Sequence, residues 1–218
     1  MSKIEHQGKN YKIIEYLNSN VFVIENVINS ETCIKLISEI RRSYCEQLDF
    51  TEGNNVECFI TDNKANPKMI EYFTEKMMEL IHEMVLLKSI PISSLSNIEV
   101  RKVYGETRNH ADGTCNDTIV HPTRNHNIKV VRSLTIVGTL NDDYEGGEYN
   151  FPSQNLKIKL KAGSFVMFPP YWTHPHSVSK IITKPNSNEY RYIVSTWGLD
   201  KFFIKYSDDN NVNNIYVL

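Results

Sequence analysis

The sequence predicts a mainly β fold, a sandwich or barrel with N-terminal helices packed on one of its sheets. Three observations carry that reading. Apolar residues in the first ninety positions repeat at helical spacing, whereas those after about position 96 fall in short β-rich runs. The runs lie at 98–103, 129–140, 147–151, 156–160, 164–168, 176–182 and 190–197, the density of an all-β core. Turn residues separate them, at Gly146-Gly147, Pro152-Ser153, Ala162-Gly163, Pro169-Pro170 and Asn186-Ser187-Asn188. The 218 residues suit a single catalytic-sized domain, 1–218, with the N-terminal strand and helices over about 11–95 and the β core over about 96–206.

The elements follow in order. Met1 to Asn10 is polar and holds no apolar signal core, so His6 is expected in a disordered tail. Val21-Phe22-Val23-Ile24 reads as a buried strand. Asn29 or Ser30 can cap a helix whose apolar stripe is Cys33, Ile34, Leu36, Ile37 and Ile40. Residues 46–66 are polar and irregular around Gly53-Asn54-Asn55. They read as a mobile loop, either a lid over a site or plain surface chain. Asn66-Pro67 then opens a second helix, a capping side chain followed by proline at the first helical position. Ile70, Phe73, Met77, Leu80, Ile81, Met84 and Val85 keep its spacing to about Lys88, and the methionines read as core.

Composition excludes several classes. Hydrophobic residues make up 40%, charged residues 23%, and the net charge is −2, without the clustered basic face of a nucleic-acid binder. Cys33, Cys45, Cys58 and Cys115 form no CxxC pair, so free thiols in a reducing compartment are expected. No stretch of about 18 uncharged apolar residues is present to span a membrane, and the expected location is cytoplasmic.

His110-Ala111-Asp112 carries the chemistry. On an extended segment His110 and Asp112 share parity and face the same way. With a second histidine they form the ligand set of a non-haem Fe(II) oxygenase, which leaves positions open for co-substrate and O2. His174 and His176 both qualify, and periodicity does not separate them. In Tyr190–Trp197, alternation places Arg191, Ile193, Ser195 and Trp197 on one face, and Tyr192, Val194 and Thr196 on the other. If Arg191 faces the interior, its guanidinium needs a buried anion, and its fork suits a carboxylate. The distal carboxylate of 2-oxoglutarate fits. His121 and His126 read as an exposed loop, and His82 as structural or exposed on its helix.

Together these pieces resemble the 2-oxoglutarate- and Fe(II)-dependent dioxygenases, in particular the prolyl 4-hydroxylase-like branch. The resemblance spans roughly residues 20–200. It includes Val21–Ile24 and Ile28–Cys33, Leu134–Ile136 through Leu140-Asn141-Asp142, Gly146-Gly147-Glu148 and Phe151, Ala162–Phe168, Pro175–Val178, and Arg191-Tyr192. It implies a double-stranded β-helix of jelly-roll type. It implies Fe(II) on His110, Asp112 and His176, with His176 favoured over His174, and 2-oxoglutarate on Arg191. It implies hydroxylation of a substrate C–H with release of succinate and CO2, and ascorbate as a reductant.

The chain departs from the branch at two co-substrate contacts. Thr107 and Thr139 stand where tyrosines are common, Tyr104 is the candidate replacement, and Trp197 matches a tryptophan near the metal. A peptide or protein substrate is expected, peptidyl proline first. The rivals are a small molecule or free amino acid at the same iron, and a non-catalytic jelly-roll binding protein. A nucleic-acid demethylase is disfavoured, because the strand carries no second arginine near Arg191.

Overall fold

The computed structural model describes residues 2–8, 10–43, 46–50, 54–61, 66–113, 118–120, 127–182 and 190–202. The early strands are β1 Lys3–Gln7, β2 Lys12–Tyr16 and β3 Val21–Glu25. Helix α1, Ser30–Arg42, follows, then β4 Glu46–Phe50, β5 Asn54–Thr61 and helix α2 Pro67–Lys88. The later strands are β6 Ser94–Leu95, β7 Glu99–Val103, β8 Thr107–His110, β9 Thr118–Val120, β10 Asn127–Thr139, β11 Tyr149–Phe151, β12 Leu156–Ile158, β13 Phe165–Phe168, β14 His176–Val178 and β15 Arg191–Phe202.

The strands form two sheets. The larger runs β1-β2-β3-β13-β10-β15-β7-β5-β4, with β6 beside β15 and β9 beside β10. The smaller runs β12-β11-β14-β8. Strand alternation gives the larger sheet two apolar faces. Phe22, Ile24, Phe165, Met167, Leu134, Ile136, Tyr192 and Val194 pack with the helices. Val21, Val23, Val166 and Phe168 pack instead with Tyr149, Phe151, Leu156, Ile158 and Val178, all from the smaller sheet. The helices therefore cover one face of the large sheet and the small sheet covers part of the other. This agrees with the mainly β reading.

Both helices begin as their sequences dictate. The Asn29 side chain accepts from Thr32 N–H at 2.8 Å, and the Asn66 side chain from Lys68 N–H at 3.0 Å. In α1 the buried set is Cys33, Leu36, Ile37 and Ile40; Ile34 is 68% exposed, one step off the buried stripe. In α2 Met69 is buried as well, Ile70 is partly buried against the same core, and Val85 is exposed at the far end. Cys33 is a buried free thiol; the other three cysteine side chains lie outside the described residues. Among the described residues no helix is long and apolar enough to cross a membrane.

Two expectations are corrected. Within 46–66, residues 46–50 and 54–61 are not irregular, because β4 and β5 form an antiparallel pair and β5 extends the large sheet at β7; residues 51–53 lie outside the described residues. A polar sequence suffices there because the ladder is built by backbone groups. His6 is not in a disordered tail. It lies in β1, paired with β2, and its Nε2 meets the Glu15 carboxylate at 3.1 Å. Residues 62–65, the 183–189 loop, His121 and His126 lie outside the described residues.

Candidate metal centre

Three side chains converge where the small sheet faces the large one. His110 ends β8 and His176 begins β14, and the two are direct register partners in the antiparallel pair. Their rings lie 4.4 Å apart, centroid to centroid. Asp112 follows two residues after His110. One carboxylate oxygen is 3.2 Å from His110 Nε2, the other 3.9 Å from His176 Nε2. One potential ligand atom from each of the three residues lies within 4.8 Å of the others, a spacing that can enclose one cation.

Hydrogen bonds orient each member. His110 Nδ1 meets the carbonyl of Arg108 at 2.8 Å, and His176 Nδ1 meets the carbonyl of His174 at 3.1 Å. A carbonyl only accepts, so both Nδ1 atoms carry a proton, which leaves each Nε2, turned toward Asp112, as the atom that would hold a metal once it is deprotonated. Thr135 Oγ1 donates to Asp112 Oδ2 at 2.8 Å, and Arg132 donates to the Asp112 main-chain carbonyl at 3.1 Å. Phe168 and Phe151 pack on the His176 ring at 4.6 and 5.7 Å. His110, by contrast, has a side chain 40% exposed, so the centre is dry on the His176 side and open on the other.

The electrostatics follow. Burial alone would raise the Asp112 carboxyl, but the hydrogen bond from His110 and the two nearby imidazoles hold it down at about 2. The Asp112 carboxylate raises His110 above its ordinary value, against the opposing effect of burial. Burial lowers His176. Unlike His176, His174 does not join the triad. Its Nε2 meets the carbonyl of Ser19 at 2.6 Å and its Nδ1 meets Thr173 Oγ1 at 2.9 Å, so both ring nitrogens are engaged elsewhere.

The same cleft continues along β15 to Arg191, past Ile193, Ser195 and Trp197, the face that alternation assigned. Arg191 is 3% exposed. Its Nη1 reaches the carbonyl of Gly147 at a long 3.4 Å, its guanidinium lies 5.4 Å from the Tyr149 ring, and its Nε has no partner among the described residues. A buried guanidinium left this way requires an anion, and a ligand carboxylate supplies one. Ser195 Oγ and Trp197 Nε1 are likewise buried without a partner and line the same cleft.

Two of the expected co-substrate residues do not line the cleft. Tyr104 is 41% exposed and packs edge-on against Tyr190, because Val103 faces the cleft and its neighbour must face away. Thr139 is buried, but its hydroxyl donates to the carbonyl of Asn141 at 2.9 Å and the residue does not line the cleft. Tyr149 does line it, from β11. Sequence reasoning missed Tyr149; its parity with Phe151 after the Gly146-Gly147 turn was the available signal. A second arginine also enters the cleft, from the neighbouring strand. Arg101 of β7 sits opposite Ile193 and is ion-paired with Glu99.

Comparison with known proteins agrees with this geometry. Residues 99–198 match the family model of the 2OG-Fe(II) oxygenase superfamily. Over those residues the chain resembles the 2-oxoglutarate-dependent dioxygenases, and the His110, Asp112 and His176 group fits the Fe(II) that such enzymes use with 2-oxoglutarate and O2. Its fold is that of the prolyl 4-hydroxylase-like branch. The chain is similar to the 2OG complex of a viral collagen prolyl hydroxylase from Paramecium bursaria Chlorella virus-1, at 19% identity and TM-score 0.60, over 84% of this chain and 97% of that one. It is similar to a Pseudomonas putida prolyl-4-hydroxylase at 15% identity and TM-score 0.60, over 83% and 92%. A third is a Trichoplax adhaerens prolyl hydroxylase in complex with a hypoxia inducible factor peptide fragment, at 17% identity and TM-score 0.61, over 84% of each chain. No curated protein matches the chain significantly by sequence.

Proposed function

We propose that this chain is a peptidyl prolyl 4-hydroxylase, working as one catalytic domain whose two facing sheets are a double-stranded β-helix. His110, Asp112 and His176 hold Fe(II), and Arg191 anchors the distal carboxylate of 2-oxoglutarate. The observation that carries the reading is the buried Arg191 guanidinium, without an acidic partner among the described residues, in the same cleft as the triad. The solved structures named above support the prolyl specificity, and the peptide in the Trichoplax complex supports a polypeptide substrate.

Bound iron supplies the O2-dependent oxidation, in which 2-oxoglutarate leaves as succinate and CO2 and one oxygen atom enters a substrate C–H bond. The residues of the chain position and shield the reactants. The carbonyls of Arg108 and His174 fix both imidazole tautomers. Thr135 fixes the Asp112 carboxylate, and Phe151 and Phe168 keep water from the His176 side. No side chain need act as a general acid or base.

The test measures succinate formation with Fe(II), 2-oxoglutarate and a panel of proline-containing peptides, followed by mass spectrometry. The parent should add one oxygen atom to a prolyl residue. Arg191→Ala should weaken 2-oxoglutarate binding about a hundredfold while leaving metal binding in place. Turnover only on free amino acids or small molecules would overturn the prolyl reading. Unchanged co-substrate affinity in Arg191→Ala would overturn the anchor.

A further inference from the structure

We infer that His174 is a positioning residue for the metal centre, a strut by which the turn between β2 and β3 aims the His176 imidazole. The inference rests on the reading of His110, Asp112 and His176 as metal ligands. His174 is 4% exposed and both of its ring nitrogens are used. The Ser19 carbonyl at 2.6 Å can only accept, so Nε2 carries the proton, and Nδ1 accepts from the Thr173 hydroxyl at 2.9 Å. The ring is thereby held in one tautomer and one orientation.

Its anchor is equally fixed. Ser19 is 2% exposed. Its hydroxyl donates to the Tyr16 carbonyl at 2.6 Å and accepts from Val21 N–H at 3.1 Å. Asn18 and Asn20, on either side, hold positive φ of 61° and 51° and complete the tight turn. The strut therefore joins a turn of the large sheet to the segment that enters β14 of the small sheet, 155 residues away in the chain.

The ligand itself depends on the main chain of His174. His174 N–H donates to the Tyr171 carbonyl at 2.8 Å, and the His174 carbonyl accepts from His176 Nδ1 at 3.1 Å. Anchoring the His174 ring fixes the direction of that carbonyl, and the carbonyl sets the plane in which His176 Nε2 points. The side chain thus acts on the metal through the peptide group it carries. Partners of this kind govern metal affinity although they never touch the ion. Packing alone would not require this: a leucine could fill the site without binding Ser19.

The test loads Co(II) into the metal-free parent, His174→Ala, His174→Gln and Ser19→Ala. It reads Co(II) affinity, the Co(II) absorption spectrum and the melting temperature of the metal-free protein. His174→Ala should weaken Co(II) binding about tenfold or more and change the spectrum. The Gln side chain can still donate to the Ser19 carbonyl, so His174→Gln should return both within about threefold of the parent. Ser19→Ala keeps the ring but loosens its anchor, and should weaken binding in the same direction. If His174→Ala does not fold, the other two variants carry the test. Parent-like affinity and spectrum in His174→Ala, or in Ser19→Ala, would refute the strut, as would equal loss in the Ala and Gln variants. A parent chain that fails to bind Co(II) would instead refute the ligand assignment itself.

Discussion

At the scale of single residues, protonation sets when the centre can take a metal. At the proposed site, metal binding needs neutral His110 and His176 and ionised Asp112. Asp112, held at about 2, is ionised at any working pH, and burial already lowers His176. His110 is the limiting group, because the Asp112 carboxylate raises it above its ordinary value. Metal affinity should therefore fall as pH drops through that raised value, by about tenfold per pH unit once one proton must be displaced. Anaerobic Mn(II) titrations across neutral pH check this, and an affinity flat with pH would contradict it. Thr135→Val removes the only hydroxyl that donates to Asp112 among the described residues. It should weaken the same metal about tenfold and cost about 1 kcal/mol of stability, read by titration and by urea unfolding.

At the scale of elements, alternation in β15 decides the outcome. Arg191, Ile193, Ser195 and Trp197 meet the cleft, while Tyr192 and Val194 enter the helical core. This was legible in the sequence because the period of a strand is two and one face carries a lone arginine. The helices were legible through their caps and stripes. The edge strands were not: Lys3-Ile4-Glu5-His6-Gln7 has no apolar face, and β1 exists because its backbone pairs with β2. Parity could not separate His174 from His176; the fold does, pairing His176 with His110 across β14 and β8 and tying His174 to the Ser19 carbonyl, distant in sequence. Tyr104 and Thr139 came from family likeness, and local geometry turned one outward and engaged the other.

The turn before β13 gives a further prediction at this scale. Gly163 has φ +74°, and a Cβ there would lie 1.9 Å from the Ile28 carbonyl oxygen. Its own carbonyl accepts from Ile28 N–H at 3.1 Å. Gly163→Ala should destabilise the fold by about 2 kcal/mol or more, through backbone strain and the parting of this turn from the entry to α1. A urea midpoint equal to that of the parent would refute the account.

At the scale of the whole molecule, two apolar layers share one sheet. The helical layer stabilises the large sheet from behind, and the layer between the sheets positions the cleft. A ligand bridging the small sheet and β15 holds the two sheets together and binds only the folded chain. Metal and 2-oxoglutarate at about a hundred times their dissociation constants should each add about 2.7 kcal/mol, visible as a higher melting temperature that a chelator reverses. In Arg191→Ala the metal increment should persist and the 2-oxoglutarate increment should fall to about 0.4 kcal/mol at the same concentration; loss of both would show that the arginine supports the fold and not the co-substrate.

The pairing of His110 opposite His176 across β8 and β14 has a consequence for metal selectivity. Backbone hydrogen bonds already hold the two imidazoles side by side before an ion arrives. Such a rigid nitrogen pair accepts any ion of suitable size, and the ordinary affinity series for divalent metals places cobalt, nickel and copper above ferrous iron. The centre therefore has little means of rejecting its competitors. Chain recovered from a nickel resin should carry nickel and be inert until it is stripped and refilled, and iron occupancy in the cell becomes a matter of which ion is in supply.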